Sequence, residues 1–161
     1  MADLKITLQE SITLPNRNVE TLHNTAIISG VNQILRRTDT IATDFSGSGI
    51  EILKFVDSEE QQTAGSFVKT DVKYLRITNL DTTNSALIYL VDTNEEFVIF
   101  KLEAKKSLMF GNVDFNASQN GDYVVEGVWD PDYYSDFVYY DTIKAKAENS
   151  PVLLEYFVAS A

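Results

Sequence analysis

The sequence predicts an all-β protein, a β-sandwich of jelly-roll-like or immunoglobulin-like type with about nine short strands. Three observations predict it. Apolar and polar residues alternate at period two in most segments. Clusters of Gly, Pro, Asn, Asp and Ser recur every ~8–12 residues as turn signals. No repeat or linker divides the chain, whose 161 residues fit one domain spanning 1–161.

The first element shows the alternation most clearly. Leu4, Ile6, Leu8, Ile12 and Leu14 share one parity and Lys5, Thr7, Gln9 and Thr13 the other, as a half-buried strand requires. Glu10 breaks the apolar series, which predicts a bulge or bend there. Pro15-Asn16-Arg17-Asn18 reads as a turn, because proline fixes φ and asparagine tolerates turn conformations, and a new element begins near Val19. Residues 26–41 admit two readings. Ile27, Ile28, Val31, Ile34 and Leu35 follow helical spacing, while Gly30 and the β-branched residues favour a strand; strand is the expectation.

Residues 44–49 form a glycine-rich turn, 50–56 a strand and 57–65 a polar, acidic loop. In 72–80, Leu75 and Ile77 oppose Arg76 and Thr78, and a polar run then leads to 86–91, so the two strands read as a hairpin with a longer loop. Both parities of 86–91 are apolar, as in a strand covered on both faces. Strands follow at 97–102 and 107–110. At the end, Ile143, Ala145 and Ala147 oppose Thr142, Lys144 and Lys146. Asn149-Ser150-Pro151 then turns into Val152, Leu154, Tyr156 and Val158, the pattern of a terminal hairpin.

Composition excludes several functions. With 44% hydrophobic residues the chain has the material for a core. It contains no cysteine, which removes disulfides and thiolate metal sites. The net charge of −11 repels phosphate backbones, so no nucleic-acid partner is expected. Neither a signal peptide nor a run long enough to cross a bilayer is present, so a soluble protein without a membrane partner is expected.

Catalytic constellations are equally scarce. His23 stands alone, without a glycine-flanked serine, and reads as a strand or turn residue. Glu59-Glu60 and Glu95-Glu96 read as solvated loop pairs, since a general acid needs a desolvating pocket. Gly47-Ser48-Gly49 lacks the third glycine and following helix of a phosphate loop. No enzymatic activity and no cofactor are expected.

The most unusual segment runs from 123 to 141. There Tyr123, Trp129, Tyr133, Tyr134, Phe137, Tyr139 and Tyr140 interleave with Glu126, Asp130, Asp132, Asp136 and Asp141, and no basic residue falls between Lys106 and Lys144. These rings read as core closure, as a subunit interface in which Tyr and Trp act as anchors, or as a sugar platform. Trp129, Tyr133, Tyr134, Phe137, Tyr139 and Tyr140 are the expected partner-binding residues. Asp130, Asp132 and Asp136 match the first, third and seventh positions of a calcium loop, but Ser135 replaces its glycine and Tyr134 a ligand, so no metal site is expected. Arg36 and Arg37, with Arg76, form either a solvated strand face or a positive patch for the acidic segment of a neighbouring copy.

Residues 4–14 (LKITLQESITL), 33–37 (QILRR), 50–55 (IEILKF), 73–81 (KYLRITNLD) and 100–102 (FKL) together resemble small virion structural proteins of tailed bacteriophages, over roughly residues 4–111. The resemblance rests on strands and a turn and leaves the Tyr- and Asp-rich segment unmatched. It implies a capsid decoration or cement protein on the virion surface, or a tail or neck component. The implied partners are the major capsid protein or other virion subunits, with the chain itself a homo-oligomer. An acidic protein suits the outside of a shell, away from packaged DNA.

Overall fold

The computed structural model describes residues 2–13, 15, 19–43, 49–111 and 140–161. Its described residues form eleven strands in three sheets. β1 (Ala2–Thr13) and β2 (Val19–Val31) make a two-stranded ribbon. β3 (Gln33–Ile41), β11 (Val152–Ser160), β6 (Val72–Asn79) and β9 (Ser107–Gly111) form a four-stranded sheet in that spatial order. β5 (Ser66–Val68), β4 (Ile50–Val56), β10 (Tyr140–Ala147), β7 (Ala86–Asp92) and β8 (Phe97–Leu102) form a five-stranded one. All pairings are antiparallel except β4 with β5. This is an all-β sandwich.

Alternation explains the core. Leu75 and Ile77 of β6 and Val152, Leu154, Tyr156 and Val158 of β11 are buried and meet Leu53, Ile88, Leu90 and Ile143 of the other sheet. Arg76 and Thr78 lie half-buried on the opposite face of β6, as their parity predicts. β7 is covered on both faces: Ile88 and Leu90 on one parity and Tyr89 and Val91 on the other are all buried. Residues 26–41 are strand, divided at Asn32, whose amide donates to the Ser160 carbonyl at 2.9 Å.

Four expectations need correction. β6 and β7 are not a hairpin, because they belong to different sheets, and the same holds for β10 and β11. Each pair is an arch that crosses the sandwich, so that the apolar faces of its strands oppose one another across the core. Glu10 makes no bulge, being in regular register with Leu22. The irregularity lies between Ala2 and Leu4, where β2 carries the extra residue and Gly30 adopts a φ of 81°. β1 is not half-buried along its length, since Leu8 and Ile12 are 44% and 56% exposed. The loop after β4 is also more ordered than its composition suggests: it holds a 3-10 turn at Glu59–Gln61 and the short strand β5.

Candidate partner-binding surfaces

The ribbon is one chain-local element doing two different things. Its register runs unbroken from Leu4 opposite Ile28, through Ile6 opposite Ala26, Leu8 opposite Asn24 and Glu10 opposite Leu22, to Thr13 opposite Val19. Side chains alternate across a strand, so one ribbon face carries Leu4, Ile6, Leu8 and Ile12 with Ile28, Ala26 and Leu22, interrupted by Glu10 and Asn24, while the other is mainly Thr, Gln, Ser and His with one exposed apolar residue, Ile27. At the base this apolar face is used. Ile28 and Val31 are buried with Tyr74 and Ala159, and Leu4, Ile6 and Phe157 pack against them; the Tyr74 and Phe157 rings meet edge-on at 5.9 Å.

Beyond Ile6 and Ala26 the stripe continues without cover from the described residues. Every described side chain from Thr7 to Thr13 and from Thr21 to Thr25 is exposed, Leu22 at 63%. A two-stranded hairpin with no third layer is marginally stable in water, and half-exposed Leu and Ile each forgo roughly 1–2 kcal/mol of burial. The outer ribbon therefore has the composition of a strand pair that rests on something else.

The second surface is the outer face of the four-stranded sheet. Arg76 and Arg36 flank Phe157 in register on neighbouring strands, and Glu155 lies one step further along β11. Glu155 accepts from Arg36 Nε at 2.9 Å and Nη2 at 2.7 Å and from Arg76 Nη2 at 2.7 Å. Hydrogen bonding from Arg36, reinforced by the charges of both arginines and opposed by burial, holds the Glu155 carboxyl below the usual carboxylate range. Arg37 bonds Asp39 at 3.0 Å, and Asp39 also accepts the Tyr156 hydroxyl. Burial first, and the Asp39 carboxylate second, push the Tyr156 phenol well above its ordinary value. The outer face thus brings together Arg36 and Arg76 on Glu155, whereas Arg37, of the opposite parity and opposite the core residue Tyr156, pairs with Asp39 on the other face, so each of the three arginines singled out in the sequence is held by an acidic partner.

The third surface is β8, outermost in the five-stranded sheet, where Phe97, Val98 and Ile99 are 51%, 47% and 47% exposed. Phe97 meets Tyr89 edge-on at 5.7 Å.

The remaining candidates separate clearly. Tyr140 opens β10 and packs half-buried against the core. Trp129, Tyr133, Tyr134, Phe137 and Tyr139, like Asp130, Asp132 and Asp136, lie outside the described residues. His23 is exposed on the polar face of the ribbon, and Glu59, Glu60, Glu95 and Glu96 are all exposed. Asp141 binds the buried Lys69 at 2.6 Å, and Asp57 binds it at 2.7 Å. Burial opposes the Lys69 charge, but these two carboxylates outweigh it and raise its pKa. Among the described residues no three acidic or histidine side chains are placed to hold a metal ion. The ribbon and β8 surfaces were missed in the sequence, although the first left a signal: five apolar residues of one parity in 4–14.

No protein-family model, curated protein or solved structure matches this chain.

Proposed function

We propose that this chain is a non-enzymatic structural protein that attaches to other protein subunits through the apolar face of its β1–β2 ribbon. One observation carries the reading: the stripe that packs at the base through buried Ile28 and half-buried Leu4 and Ile6 continues outward as exposed Leu8, Ile12 and Leu22. An exposed apolar stripe on a slender element marks a protein-binding surface, with the polar opposite face left to water. The resemblance over residues 4–111 supplies the setting, a virion, with the chain as a capsid decoration protein on the outer shell in many copies; a tail or neck position is the alternative. The charge of −11 favours an outward location over contact with packaged DNA.

The test is rebinding. Purified protein is added to particles stripped of their accessory subunits, and occupancy is measured for the natural sequence and for the double variant Ile12→Asp with Leu22→Asp. Binding to the shell by the natural protein and its loss in the variant is the expected result. A natural protein that ignores stripped shells and tails alike overturns the virion setting, and a variant that binds normally overturns the role of the ribbon.

A further inference from the structure

The ribbon leaves β8 unexplained. Soluble proteins protect an edge strand with charges, a bulge or a covering element. β8 has three consecutive exposed apolar residues, its register with β7 shows no bulge, and among the described residues no strand pairs with its outer side. We propose that β8 is a self-pairing edge: it aligns antiparallel with β8 of a second copy about a twofold axis at Val98, joining the two five-stranded sheets into one.

The register follows from three steps. The Asp92 amide donates to the Glu96 carbonyl at 2.9 Å, so the backbone groups of Glu96 face β7. Backbone direction alternates along an antiparallel strand, so Val98, Phe100 and Leu102 face β7 too, and the amides and carbonyls of Phe97, Ile99 and Lys101 point to the free side. A twofold antiparallel pair places one residue opposite itself, and the centre of the apolar run offers Val98 or Ile99. Centring on Ile99 sets Phe97 against Lys101. Centring on Val98 sets Phe97 against Ile99 through free backbone groups, twice over. Apolar matching thus selects the register centred on Val98, and the occupant is a second copy because the strand complements itself.

This inference is independent of the ribbon, and the Ile12→Asp, Leu22→Asp variant is expected to leave it unchanged. Sedimentation of the natural protein across the micromolar range should show a dimer; a monomer throughout overturns the proposal. Ile99→Pro removes only an amide that points away from β7, so it should keep the circular dichroism of the natural protein while raising the dimer dissociation constant at least about ten-fold. A folded Ile99→Pro variant that dimerises as before overturns the proposal. Because the chain has no cysteine, Val98→Cys gives a second readout: under mild oxidation it should form a covalent dimer, since directly opposed strand residues lie within disulfide reach. Cross-linking by Ile99→Cys but not by Val98→Cys overturns the assigned register.

Discussion

Arg36 and Glu155 stand 119 positions apart in the chain, yet their side chains meet at 2.7 Å on the outer face of the four-stranded sheet, where Arg76 completes the cluster. The contact ties β3, β11 and β6 together through one carboxylate. Its energetic weight is limited because Arg36 is 70% exposed and its charge is screened by water.

That cluster has a pH signature. The folded-state pKa of Glu155 is lowered, chiefly by the Arg36 hydrogen bond, so its contribution is fully present above the ordinary carboxylate pKa of ~4.3 and is lost as pH falls through the folded value. Glu155→Gln should cost roughly 1 kcal/mol near neutrality. The gap in melting temperature between natural and variant proteins should close as the pH is lowered through the acid range; a gap that widens there contradicts the assignment.

Two glycines with the same backbone sign should respond differently to a methyl group. Gly49 has φ of 89°, and a Cβ there would stand 2.4 Å from the Ala145 carbonyl oxygen, whereas Gly65 has φ of 88° and open space around it. Gly65→Ala should cost only the left-handed penalty of about 1 kcal/mol. Gly49→Ala must also push β10 aside and should cost at least about 2 kcal/mol more in urea unfolding.

Asn79 should be the most sensitive polar residue of the core. It is fully buried, donates to the Asn84 carbonyl at 2.8 Å and the Leu102 carbonyl at 3.0 Å, and accepts the Asp81 amide at 3.0 Å. Asn79→Leu leaves those backbone groups unpaired and should destabilise the fold by roughly 2–4 kcal/mol in chemical denaturation.

The two ends of the ribbon should separate in stability measurements. Ile28→Ala removes a buried side chain from the base and should cost about 2–4 kcal/mol, while Leu22→Asp, at an exposed position, should stay within about 0.5 kcal/mol of the natural protein. Amide exchange should be slower at Leu4–Ile6 than at Leu8–Thr13, because only the base is covered.

The arches show where sequence reasoning stops. Alternation in 72–80 and 142–147 identified the inward residues Leu75, Ile77, Ile143, Ala145 and Ala147 correctly. The same alternation is produced whether the next strand lies beside its predecessor or across the core from it, so the hairpin reading of β6–β7 and β10–β11 was equally consistent with the residues and was wrong. The ribbon failed differently. Its period predicted an apolar face, and the period was right, but the partner for that face beyond Ile6 is not supplied by the described part of the chain.

What the sequence by itself determined is therefore the class of structure and the inward faces of β6, β10 and β11, because side-chain alternation is a local property of an extended backbone. Tertiary structure alone decided which strands are neighbours, that Glu155 gathers Arg36 and Arg76, and that the described residues leave the β1–β2 stripe and the β8 edge uncovered. Those outcomes depend on contacts between residues far apart in the chain, and such contacts exist only after the sheets have stacked.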